Sequence, residues 1–100
     1  MADQIIISPL RPGERLSCES DQDFMVFGTL RCGQGSGFNL NVVGSGMSQG
    51  FDSAQGLRTE TFTLGAGGGD TIRVSTLGPQ VSGFVTLVTD PSATASITVI

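Results

Sequence analysis

Residues 23–32 read DFMVFGTLRC, and this stretch decides the fold. In an extended chain successive side chains point to opposite faces, so Phe24, Val26 and Leu30 share one side while Met25 and Phe27 share the other. Both faces are apolar over the first half, the pattern of a strand covered from two sides. A strand of that kind sits inside a sheet, and the rest of the chain is expected to wrap around it.

Working outward, the segments on either side read as shorter strands with one wet face. Asp3 to Ser8 places Ile5 and Ile7 on one face and Ile6 on the other, and Pro9, Pro12 and Gly13 then force a turn. Arg15 to Cys18 points Leu16 and Cys18 inward, and the acidic loop Glu19-Ser20-Asp21-Gln22-Asp23 leads into the central stretch. Beyond Cys32, residues 38–42 (FNLNV) alternate cleanly. Gly44 to Gly56 reads as a long loop with room for one helical turn; Phe51, Ala54 and Leu57 have helical spacing, but Gly50 and Gly56 bracket too few residues for a stable helix.

Leu57 to Leu64 is a Thr-rich strand, and GAGGGD connects it to Thr71–Leu77, where Ile72, Val74 and Thr76 share a face. Gly78-Pro79 turns the chain into Val81–Thr89, Asp90-Pro91-Ser92 signals a type I turn, and Thr94 to Ile100 is the last strand. About eight strands at spacings of roughly 8 to 13 residues, with no convincing helix, make one all-β domain over residues 1–100: an antiparallel β-sandwich or jelly roll, or a small β-barrel.

Composition narrows the function by exclusion. The 100 residues carry a net charge of −4, only 14% charged residues, no Lys, no His, no Trp and no Tyr. Phosphate neutralisation needs a clustered positive surface, so free nucleic acid is not an expected partner. No run approaches the ~18 apolar residues that cross a bilayer, and the start MADQIIISPL lacks the positive charge of a secretion signal, so synthesis in the cytoplasm and no membrane partner are expected. Without His, Ser-His-Asp and Cys-His chemistry and His-ligated metals are excluded. A carboxylate pair could still serve a glycosidase, but a chain this small with Phe as its sole aromatic type offers little to stack on a sugar. The chain is expected not to be an enzyme and to hold no cofactor.

Three local features could carry chemistry. Cys18 and Cys32 are the two thiols. If the acidic loop makes a hairpin, Cys32 lies about 30 Å along the strand from the level of Cys18, far beyond the ~7 Å Cα separation that a disulfide allows. A bridge requires a loop that crosses between sheets, and free cysteines are the alternative. Glu19, Asp21 and Asp23 alternate as a Ca²⁺ loop would begin, but Phe24, Met25 and Val26 follow where further ligands are needed, so a solvated acidic turn is expected and no metal. Gly65 to Gly69 lacks the Lys and Ser/Thr of a phosphate-binding loop and ends on Asp70, so it reads as a hairpin loop.

The C-terminal run Ser96-Ile97-Thr98-Val99-Ile100 is β-prone and uncharged, so as an open sheet edge it would invite another strand. It either lies inside its own sheet or is covered by a neighbouring subunit. Ile5, Ile6, Ile7, Ile97, Val99 and Ile100 are therefore the candidate contact residues, for self-association or for a partner. Small domains also bury little surface, which makes an oligomer a natural supplement.

In its all-β run from Ile5 to Ile100, its short acidic start and its β-branched end, the chain resembles the small capsid decoration or cement proteins of tailed bacteriophages. The resemblance is one of class and composition. It implies a structural virion protein made in the host cytoplasm, a homo-oligomer with a trimer favoured, whose partner is the major capsid protein of the shell. Termini and the Gly-rich loops Gly33–Gly37, Gly44–Gly50 and Gly65–Gly69 would then make the lattice contacts. Two alternatives stand beside it: a carbohydrate-binding or adhesin β-sandwich module, and a phage tail or baseplate component.

Overall fold

The computed structural model describes residues 3–43, 48–53 and 58–100, with residues 48–53 described by their backbone alone. Among the described residues nine strands follow one another: β1 (Gln4–Leu10), β2 (Arg15–Ser20), β3 (Phe24–Cys32), β4 (Ser36–Val42), β5 (Ser48–Ser53), β6 (Arg58–Ala66), β7 (Thr71–Leu77), β8 (Val81–Thr89) and β9 (Ala95–Val99). They form two antiparallel sheets, a four-stranded one in the order β1-β8-β3-β6 and a five-stranded one in the order β5-β4-β7-β2-β9. The first eight strands thus alternate between sheets, apart from the β4–β5 hairpin. That winding is the jelly roll among the architectures open to the sequence, and β9 extends it beside β2.

The inner faces form one core. Phe24, Val26, Leu30 and Cys32 of β3 meet Val81, Val85 and Leu87 of β8 and Phe62 and Leu64 of β6, and the opposite wall is built from Leu16, Cys18, Phe38, Leu40, Ile72 and Val74. Each fully buried aliphatic or aromatic side chain contributes about 1.5–3 kcal/mol, which is what holds two thin sheets together. Phe38 and Phe62 meet across the sandwich with ring centroids 5.5 Å apart and planes tilted by 52°. Gly28 lies beneath that pair. A Cβ there would press into the carbonyl oxygen of Phe84 and stand 3.0 Å from the Phe62 ring, so the core closes only because β3 has no side chain at this point.

Polar ties lock the ends. Thr89 Oγ1 donates to the carbonyl of Asp23 (2.9 Å) and accepts from Ser20 Oγ (3.0 Å), which joins the two sheets inside the core. Ser20 Oγ in turn accepts the N–H of Gln22 (3.2 Å), so both buried hydroxyls are satisfied. At the opposite end Gln80 N donates to Ser36 Oγ (3.0 Å), while Gly78 turns the chain at φ +80°, a conformation glycine adopts without steric cost. Asp90-Pro91-Ser92-Ala93 closes the turn expected there: Ala93 N donates to Asp90 O (3.0 Å), and the Asp90 carboxylate accepts from Ser92.

Two readings of the sequence change here, besides the Gly65–Gly69 hairpin loop, which instead joins β6 to β7 of the other sheet. Within the stretch expected to be a loop, Ser48–Ser53 is a strand paired with β4 from Ser36↔Ser53 to Asn41↔Ser48. Gly and Asp lower its intrinsic preference, and the neighbouring ladder overrides it. The remainder of that expectation, at residues 44–47 and 54–57, and the start of the following strand at Leu57 lie outside the described residues. The second change concerns β3. It is an interior strand, between β8 and β6, but this chain covers only its inner face.

Candidate docking surface

Pairing register decides which outward side chains become neighbours. On the outer face of the β1-β8-β3-β6 sheet, Ile5 lies level with Val88, Val88 with Met25 and Met25 with Gly65. The next row runs Ile7, Thr86, Phe27, Thr63, and the one after it Pro9, Phe84, Thr29, Thr61. The result is a continuous apolar field flanked by threonines. Among the described residues, Arg31 is the one charged residue at an outward position of this sheet, and it lies at the far end of β3.

The exposure is large. Ile5, Ile7, Met25, Phe27 and Phe84 are 61%, 62%, 48%, 40% and 60% exposed. At roughly 200 Å² for a large apolar side chain, these five alone leave about 500 Å² of hydrocarbon and sulfur facing water, near the upper limit for the largest patch on an ordinary monomer. Threonine, proline and glycine neighbours widen the field without adding charge.

Of the six contact residues read from the sequence, Ile5 and Ile7 belong to this face. Ile6 points the other way, half-buried and packed against the core. Ile97 also packs against the core from the edge strand β9, while Val99 and Ile100 are exposed at the other end of that strand. The sequence reading missed Met25, Phe27, Phe84 and Val88 as surface. The signal is the double-sided apolar pattern of residues 24–27, which fits a strand covered by its own chain as well as one left open to a partner.

The acidic loop lies at one end of the sandwich, where the β2–β3, β6–β7 and β8–β9 connections gather. An open hollow of about 780 Å³ there is lined by Asp3, Asp21, Asp23 and Asp90 together with Phe24, Met25 and Val88. Asp21 and Asp23 tie loops together, and Asp90 braces its own turn. Asp21 Oδ1 accepts from Thr94 N (2.8 Å), Asp23 Oδ1 from Gly68 N (3.1 Å) and Asp90 Oδ1 from Ser92 N and Oγ (2.9 and 2.6 Å). The Ser92 bonds hold the Asp90 carboxyl below its ordinary value. Among the described residues no group of three or more His, Cys, Asp or Glu side chains is placed to hold a metal ion.

Cys18 and Cys32 are free and buried. The acidic loop does cross between sheets, the condition a bridge required, yet Cys18 lies level with Ile72 and Ile97 near one end while Cys32 lies level with Val81 at the other. Burial, reinforced by Glu19, pushes the Cys18 thiol up to about 12, and burial followed by Glu60 raises Cys32 as well. Both are core thiols, protonated at neutral pH and poor nucleophiles. Compared with protein-family models, with curated proteins and with solved structures, the chain matches none of them.

Proposed function

We propose that this protein is a non-catalytic structural component that acts by burying surface, a decoration or cement protein seated on the shell of a tailed bacteriophage. The observation that carries the reading is the apolar outer face of the β1-β8-β3-β6 sheet, whose charge among the described residues is confined to Arg31 at one end. A face of that size is costly to leave in water and unnecessary for the fold, since the core lies on the other side of the same strands. The jelly roll is an architecture of viral shell proteins and of lectins, a fold-level analogy that suits a virion protein without singling one out.

Mechanically, each copy would cover apolar positions on neighbouring shell subunits. One such contact is modest, and many of them on a symmetric shell sum to resistance against internal pressure. The test is co-sedimentation of the purified protein with particles of the phage that encodes it. Wild type is expected to sediment with the shell, and the double variant Phe27→Asp, Phe84→Asp to stay in the supernatant while keeping its β circular-dichroism spectrum. Absence of the wild-type protein from the particles overturns the reading, and selective binding on a glycan array would move it to a carbohydrate-binding module.

A further inference from the structure

The backbone bonding of β9 specifies a second contact, independent of what the apolar face binds. Thr94 O accepts from Asp21 N (3.1 Å) and Ile100 N donates to Arg15 O (2.9 Å). In an antiparallel strand the N–H and C=O of one residue point to the same side and alternate along the chain. Residues 94, 96, 98 and 100 therefore turn toward β2, and Ala95, Ile97 and Val99 turn their N–H and C=O to the open edge, where among the described residues they meet no strand. Ala93 follows the same parity, its outward carbonyl accepting from Gln4 Nε2 (2.8 Å).

Sheet edges are normally blunted by charge, proline or a bulge. β1 carries Pro9, β6 carries Arg58 and Glu60, and β5 carries Asp52. β9, with the sequence ASITV, has none of these, and its five-residue register against β2 is unbroken. It is the least protected of the four edges, and it ends on Val99 and Ile100, which are 55% and 51% exposed.

We propose that β9 pairs antiparallel with β9 of a second copy about a two-fold axis through Ile97, joining two five-stranded sheets into one. Two features favour a second copy over a foreign strand. The strand is nearly self-complementary: Ser96 falls opposite Thr98, small Ala95 opposite Val99, and the outward groups of residues 95, 97 and 99 make about six backbone hydrogen bonds. Charge is also segregated along the strands. Asp21, Asp23, Asp70 and Asp90 lie at the Ala95 end, and Arg11, Arg15, Arg31 and Arg58 outnumber Glu14 and Glu60 at the Val99 end. Antiparallel docking sets the acidic end of each copy beside the arginine end of the other. The pair is two-fold, where the resemblance to cement proteins implies a trimer.

The test is the mass of the free protein by sedimentation equilibrium, for wild type and Val99→Pro. Because the Val99 N–H points outward, proline keeps the ladder to β2 and places its ring in the path of the incoming strand. Wild type is expected at twice the 10.3 kDa chain mass, the variant as a monomer with self-association at least tenfold weaker, and the wild-type dimer weaker at high salt. Amide hydrogen exchange provides a second readout that needs no substitution: Ala95, Ile97 and Val99 should be protected in the dimer and lose protection on dilution. A wild-type monomer up to millimolar concentration, a variant that stays dimeric, or fast exchange of those amides in the dimer overturns the proposal. Failure here leaves the apolar face untouched, since Phe27→Asp, Phe84→Asp is read on particles.

Discussion

The two sheets share one interior and have opposite exteriors. Apart from Leu77 at the end of β7, the outward positions of β4, β7, β2 and β9 carry Asn39, Asn41, Arg73, Ser75, Arg15, Glu19, Ser96 and Thr98, with Ser17 covered by its neighbours in the row Asn41–Arg73–Ser17–Thr98. The corresponding rows of the other sheet carry Ile5–Val88–Met25 and Ile7–Thr86–Phe27. Both sheets obey the same alternation, yet one turns a water-compatible surface outward and the other a surface suited to a partner. Alternation identifies the core, and the residue types on the other phase reveal whether the outside is meant to stay wet.

The comparison presumes a common core, and breaking that core should cost most. Gly28→Val would drive a branched side chain into the Phe84 carbonyl and the Phe62 ring, with an expected loss of at least about 3 kcal/mol in urea unfolding. If the loss is under 1 kcal/mol, the close packing of β3 against β6 and β8 is misplaced. The exteriors themselves come next. Phe27→Asp with Phe84→Asp should weaken shell binding about 30-fold or more, whereas Asn39→Asp with Ser75→Asp on the other sheet should change it less than about threefold. Equal losses would erase the distinction between the faces.

Charge from the polar exterior reaches inward at Cys18, whose thiol is pushed up to about 12 by burial and by Glu19. The folded chain keeps this proton above the ordinary thiol value of 9.0, where the unfolded chain loses it. The stabilisation is therefore complete below pH 9 and is lost as pH rises toward 12, by roughly 1.4 kcal/mol per pH unit. Cys18→Val should flatten that alkaline decline in a pH series of urea melts; an unchanged slope would assign it to other groups. The smallest effect concerns the tie between sheets. Ser20→Ala removes the donor to Thr89 Oγ1 and the acceptor of Gln22 N, with an expected cost of about 1 kcal/mol in the same assay.

Most of the strand pattern was legible because period-two alternation is written locally, as in Arg15–Cys18 and Thr71–Leu77. Turn chemistry was equally direct at Asp90-Pro91-Ser92, where a carboxylate and a fixed φ act within four residues. β5 was not legible: SQGFDS has neither alternation nor propensity, and its pairing with β4 is a tertiary effect. Three consecutive isoleucines do not say which phase faces inward, so the half-buried position of Ile6 is settled by the fold. The apolar face was half legible, since β3 announced two apolar sides, but Phe84 and Val88 join it only through the register of β8.

What the sequence alone determined is the all-β class, the alternating inward residues, the absence of histidine chemistry and an uncharged last strand. Those follow from side-chain types and from steric preferences that act over a few residues. Only the tertiary structure decided that the winding is a jelly roll, that β3 has one covered face, and that the outward amides of β9 meet no strand among the described residues. Strand order and register are set by contacts between residues tens of positions apart, and a surface exists only once those contacts place its pieces side by side.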